Sequence, residues 1–231
     1  MRAKEPRPGP DGGRRLLVHR CLCRQYLRSQ SFHGKFICVL NITPRKEEEQ
    51  VSTTQTVTIA PAGTWRLDPI HSSVGFEVDY LAGTFKGDFH EVAATLAVDG
   101  ESARLQGTAT VASVDVKDEN LAAHLQSPDF FDAERHPELR FTAEDIGLDG
   151  EAVTVRGEIT IKGVTKPVAL AGTVTPPLAD YTDNERIGIK LTTTVDRTEF
   201  GVSWNMPLPT GQPALANEVR IIGDLYFVKA D

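Results

Sequence analysis

Between Glu151 and Gly163 the chain alternates without a slip. Val153, Val155, Gly157, Ile159 and Ile161 fall on one face, and Thr154, Arg156, Glu158, Thr160 and Lys162 on the other. A period of two with one apolar and one polar side belongs to a strand of an antiparallel sheet that is dry on one face and wet on the other. The pattern recurs in Leu105, Gly107, Ala109 and Val111, in Ile187, Ile189, Leu191, Thr193 and Val195, and in Val219, Ile221, Gly223, Leu225 and Phe227. Eight such segments lie near 64–79, 84–98, 103–115, 138–147, 151–162, 166–176, 186–197 and 217–229. Asp99-Gly100, Asp149-Gly150 and Gly163-Val164-Thr165 are short links of hairpin type, and no helix-length amphipathic run separates most segments, so sequential antiparallel neighbours are expected. The expectation is an all-β, eight-stranded antiparallel up-and-down barrel, whose closure removes exposed edges. A two-sheet sandwich is the alternative at this level.

The one long break in the strand pattern is HLQSPDFFDAERHPELRF, His124 to Phe141. Phe130 and Phe131 sit between Asp129 and Asp132, and two adjacent rings are costly to leave in water. The segment therefore reads as a lid or plug folded onto something apolar. Ser127-Pro128-Asp129 would start a short helical turn, and Asp129, Asp132, Glu134 and Glu138 read as its solvated face and cap.

An eight-stranded barrel is just wide enough for side chains to fill, or for one small ligand. Predicted inward positions include Ala94, Gly107, Ala109, Ala143, Gly157, Gly172 and Gly223; these either leave volume inside or ease the bending of strands. The rest of the inner wall is apolar, from Val74, Phe76 and Val78 through Leu96, Val155 and Leu191 to Trp204 and Phe227. Such a tunnel holds a hydrocarbon chain by burial, at roughly 0.8 kcal/mol per methylene, and grips a sugar or nucleotide poorly.

The chain of 231 residues, 40% hydrophobic and 25% charged, suffices for one good core, and no apolar run is long enough for a membrane-spanning helix. Residues 1–50 carry a net charge of +6 and the remainder −13, an acidic body without the electrostatic footprint of a nucleic-acid binder. Cys21, Cys23 and Cys38 all fall in the first segment and form no metal-ligand pair with a histidine motif. Residues 1–62 are expected to be a disordered or mis-annotated extension, with Val51 as the candidate start of translation, and 63–231 the folded domain. No catalytic or metal site is expected. Asp68, His71 and Ser72 have the residue types of a nucleophilic triad but lie too close along one extended chain, and His90, His124 and His136 are scattered singly.

Six pieces carry a family resemblance, in order: TWRLDPIHSSVGFEV, FKGDF, HLQSPDFFDAERHPELRFTA, GEITIKGVTKPVAL, VDRTEFGVSW and ANEVRIIGDLYF. From about Gly63 to Asp231 the chain resembles the YceI family. The resemblance implies a lipocalin-like barrel that holds a polyisoprenoid, isoprenoid quinone or fatty-acid-type chain, without catalysis and with that lipid in place of a cofactor. Carried over by position, Phe76, Phe85, Phe89, Phe130, Phe131, Phe141, Trp204 and Phe227 are the expected contacts to the chain, and His71 and Arg197 are candidates for the mouth or headgroup; Arg197 could instead pair with Asp196 or Asp68. Where the family commonly has a histidine after the first strand, this chain has Val78-Asp79-Tyr80-Leu81-Ala82-Gly83, which alters the expected mouth. The alternatives are an enzyme acting on an isoprenoid quinone or prenyl lipid, and a solidly packed barrel serving as an interaction module. Family members often carry a secretion signal; none is evident here, so a cytoplasmic location is expected. A homodimer through an exposed strand face, Ala169 and Ala171 or Ile222, Tyr226 and Val228, is a further expectation, and a stress-response role is compatible with the resemblance.

Overall fold

The computed structural model describes residues 59–100 and 102–230. The expectations for the first fifty residues, including the start at Val51, lie outside them. Eleven strands are present among the described residues: β1 (Gly63–Leu67), β2 (Ser73–Tyr80), β3 (Gly83–Phe89), β4 (Val92–Asp99), β5 (Ser102–Thr110), β6 (Val114–Asp115), β7 (Glu138–Asp149), β8 (Ala152–Ile161), β9 (Val164–Ala179), β10 (Glu185–Asp196) and β11 (Leu215–Lys229). One α-helix, α1 (Glu119–Gln126), lies between β6 and β7.

These strands make eight staves. The first is β1 with β2, the second β3 with β4, the third β5 with β6, and β7 to β11 are one stave each. Every pairing is antiparallel between staves adjacent in sequence, and β11 closes the ring by pairing with β1 at one end and with β2 along the rest. The expected up-and-down barrel is the observed one.

The first three staves are each interrupted, at Asp68–Ser72, at His90–Glu91, and by a 3₁₀ turn at Val111–Ser113. Each interruption shifts the phase of the alternation. Inward positions in the second stave are Phe85, Gly87 and Phe89 before the break and Ala94, Leu96 and Val98 after it. Because β3 pairs with the third stave only at Asp88 and Phe89, that side of the wall is incomplete, and the segment from α1 to β7 covers it.

The helix lies before Ser127 rather than after it. Asp118 caps it by accepting a hydrogen bond from the Leu121 amide at 2.9 Å, and Ser127 is its C-cap. Residues 127–136 are a loop of reverse turns, with Asp132 at φ 56°. The β8–β9 hairpin turns on Lys162 and Gly163, φ 49° and 76°, one residue before the expected link. The folded body also begins earlier than Gly63. Ile59 and Ala60 are buried in the core around Trp65, Leu96 and Phe227, and the Trp65 indole donates to the Pro61 carbonyl at 3.1 Å.

The core has two parts. One cluster, around Trp65, Leu96, Val155, Ile187 and Phe227, fills the end of the barrel away from α1. The other, around Val78, Phe89, Leu125, Phe130 and Phe200, surrounds the end under the helix. The first is packed solid around Trp65, Leu96 and Phe227 and opens only on its inner side, whereas the second surrounds a hollow.

Candidate functional site: an apolar tunnel under a helical lid

At the lid end the barrel encloses a cavity of about 280 Å³. Its wall comes from alternate residues of the staves, Val74, Phe76 and Val78 from β2, Phe85 and Phe89 from β3, and Val219 and Ile221 from β11, and from Leu121, His124 and Leu125 of α1. A second cavity of about 120 Å³ lies deeper, among Ala94, Leu105, Gly107, Ala109, Phe141, Leu191 and Gly223. Val74, Leu139, Ile159 and Ile221 line both, so the two chambers adjoin across these four aliphatic side chains.

The small inward residues divide cleanly. Side chains added at Gly107 and Gly223 would meet nothing nearer than 3.6 Å; these glycines, with Ala94 and Ala109, are what leaves the inner chamber empty. A Cβ at Gly172 would overlap the Lys190 carbonyl, and one at Gly157 would overlap the Thr142 carbonyl and lie 2.7 Å from the Ala143 Cβ. Those two permit close approach of neighbouring strands, and Ala143 itself is packed in the filled core.

Of the residues expected to touch a chain, Phe76, Phe85, Phe89, Phe130, Phe131 and Trp204 all line the outer chamber, and Phe141 lines the inner one. Phe131 packs edge-on against Phe76 and Phe89, with ring centroids 6.1 and 5.8 Å apart. Phe130 lies 5.3 Å from Trp204, and the His124 ring stands perpendicular to both at 5.0 Å. The two rings of the lid loop thus face inward, as their cost in water requires. Phe227 is a correction: it is fully buried beside Trp65 in the filled end and lines neither chamber.

His71 is a second correction. It sits beyond β1 at the end away from the lid, lines neither chamber, and its Nδ1 lies 2.8 Å from Asp68 Oδ2. Asp68 also accepts from Arg186 at 2.7 Å, and Arg186 donates to Asp180 at 2.6 Å. Burial alone would raise the Asp68 pKa; the bonds from His71 and Arg186 outweigh it and hold the carboxyl at about 2. Hydrogen bonds from Thr182 and Arg186 hold Asp180 well below the usual carboxylate range. The Ser72 hydroxyl is engaged with the backbone of Tyr226 rather than with His71: it accepts from the Tyr226 amide at 2.9 Å and faces the Tyr226 carbonyl at 3.4 Å.

Arg197 is buried on the outer chamber's wall. It pairs with neither expected aspartate. Its Nε donates to Ala216 O at 2.8 Å and its Nη1 to Val202 O and Trp204 O at 2.7 and 2.9 Å, while Nη2 reaches Asn217 Oδ1 at 3.5 Å. Burial pushes the guanidinium's pKa down, opposed by the Asp196 carboxylate. Three of its N–H groups are engaged by backbone carbonyls, which hold the 202–204 segment, and with it Trp204, against β11.

The lid is latched from outside the chamber. Lys162 Nζ donates to Pro128 O at 2.7 Å and to Gly201 O at 3.0 Å, and His124 Nε2 lies 3.1 Å from Asp129 Oδ2. Tyr80, half-buried Leu121 and His124 are lining residues that also reach solvent, which places the mouth at the helix edge. Sequence reasoning took His124 for a lone histidine and passed over Leu121; the signal was the i, i+4 pair Leu121 and Leu125 behind a capping aspartate. Phe200 and Val202, beside Arg197 in the wall, were legible only as part of the VDRTEFGVSW piece.

Comparison with known proteins agrees with this geometry. The chain is 30% identical over 172 residues to a UPF0312 protein of Staphylococcus aureus, covering 70% of this chain and 95% of that one. It is 32% identical over 104 residues to a UPF0312 protein of Photorhabdus laumondii, where the match covers 43% of this chain and only 54% of the relative. Among solved structures, Burkholderia cenocepacia BcnA superposes with a TM-score of 0.59 at 26% identity, over 69% of this chain and 98% of its own. A polyisoprenoid-binding domain from Saccharophagus degradans, at 12% identity, shares the fold alone, with a TM-score of 0.56 over 72% and 98% of the two chains. The profile of the YceI-like domain matches residues 65–227, and the chain belongs to that family.

Proposed function

We propose that this protein binds one long apolar chain of an amphiphilic lipid, of isoprenoid or fatty-acid type, within the barrel, and sequesters or carries it without chemical change. The observation that carries the reading is the pair of adjoining chambers, walled by aliphatic and aromatic side chains and covered by a loop whose two phenylalanines point inward. The likeness in fold to the polyisoprenoid-binding domain of Saccharophagus degradans supports the isoprenoid class. Phe76, Phe85, Phe89, Phe130, Phe131 and Trp204 then contact the outer part of the chain and Phe141 its far end. The polar head stays at the lid edge near Tyr80 and His124, with Arg197 behind it. Binding without turnover is supported by the engaged hydroxyl of Ser72 and by the commitment of Arg197 to carbonyls.

Trp204 supplies the test. Titration with farnesol is expected to perturb its fluorescence saturably at one molecule per chain, and Phe131→Asp is expected to weaken binding at least tenfold. No saturable response to any prenyl or alkyl chain removes the reading. The proposed homodimer through either strand face, Ala169 and Ala171 or Ile222, Tyr226 and Val228, is checked by sedimentation velocity; a monomer at high concentration removes it.

A further inference from the structure

The tunnel has a floor. Beyond Leu105 and Leu225 at the end of the inner chamber, the barrel is filled by Trp65, Leu96 and Phe227, at most 0% exposed, with Ile59 and Ala60 packed among them. For a chain entering at the helix edge, the way to the inner chamber lies between the shared side chains of Val74, Leu139, Ile159 and Ile221, and the packed end stands beyond it. The chambers hold about 280 and about 120 Å³. A cavity of roughly 150 Å³ takes one benzene ring, so on that scale the outer chamber holds about 11 carbons and the inner one about 5.

We propose that the barrel is a blind, length-measuring tunnel that takes an apolar chain of about 15 carbons, three isoprene units or a comparable acyl chain, with the packed end as its stop. This deepens the reading under Proposed function and rests on it. A longer polyisoprenoid would leave its remaining units outside the barrel, where they add no burial. Inner-chamber size is set by Gly107, Gly223 and Ala94. Gly223 faces open space apart from the Leu225 side chain at 3.6 Å, so a side chain there shortens the tunnel without meeting backbone.

The test is calorimetric titration of the full chain with straight 1-alkanols and with geraniol, farnesol and geranylgeraniol, against the same series on Gly223→Val. Affinity is expected to rise about fourfold per methylene, the factor that burial of one methylene supplies, up to about 15 carbons, and then level off. Gly223→Val is expected to bring the break about three carbons earlier, and Leu105→Ala to move it later. An affinity that climbs unbroken through geranylgeraniol, or a break that Gly223→Val leaves in place while binding persists, overturns the proposal and leaves the carrier reading intact. Absence of binding by every member of both series overturns the carrier reading itself.

Discussion

Gly172 and Gly223 are both inward glycines of neighbouring character in sequence, yet they do opposite things. Gly172 lies against the Lys190 carbonyl and lets two strands approach, whereas Gly223 faces the inner chamber. Gly172→Ala is accordingly expected to cost about 1–3 kcal/mol by overpacking. Gly223→Ala is expected to be neutral or to stabilise by about 0.5 kcal/mol, by lowering the entropy of the unfolded chain. Urea denaturation of the two variants distinguishes them. Arg197→Met is expected to destabilise by about 3 kcal/mol, since it strands the carbonyls of Ala216, Val202 and Trp204. Which face a strand residue occupies was legible from its parity: Phe76, Phe85 and Phe89 line the outer chamber and Phe141 the inner one for that reason, whereas Phe130, Phe131 and Trp204 lie on loops and line the outer chamber because those loops fold over the barrel end. How far along the barrel axis a residue lies is not encoded in a period of two. Phe227 therefore read like Phe76 although it sits in the filled end. His71 read like a mouth residue although its partner Asp68 anchors it at the opposite end.

At the scale of elements, the eight segments read from alternation are the eight staves, because every stave keeps one wet and one dry face. The interruptions within the first three staves were present in the sequence as phase slips, from Phe89 to Val92 and from Val111 to Val114, and ran unnoticed inside single long segments. The lid is held by few bonds. Lys162→Met removes the donors to Pro128 O and Gly201 O and is expected to speed hydrogen exchange at the amides of Phe130, Phe131 and Asp132, with little change in global unfolding. A second element, the β9–β10 hairpin, is tied to the β1–β2 turn through Arg186. Asp68, ordinarily near 3.8, is held at about 2, and Asp180 is lowered as well. A depressed carboxylate stabilises the fold above its ordinary pKa, and that contribution is lost as pH falls through the folded value. Wild type is thus expected to lose thermal stability between about pH 4 and 2, and Arg186→Met to show a smaller loss across that window. Equal slopes in the two proteins would contradict the role given to Arg186.

At the largest scale, the described residues form a closed barrel with one packed end and one hollow end, roofed where its wall is incomplete. The packed end, with Trp65, Phe227 and the buried Ile59–Ala60 segment, supplies rigidity, and the hollow end is the binding volume. The central claim is that this volume holds a lipid chain. Native mass spectrometry of the protein purified from its own host without detergent, followed by organic extraction, tests it most directly. The expected result is a stoichiometric isoprenoid or fatty species that dissociates on activation and is recovered in the extract. A bare protein that stays bare after incubation with prenyl lipids would contradict the account.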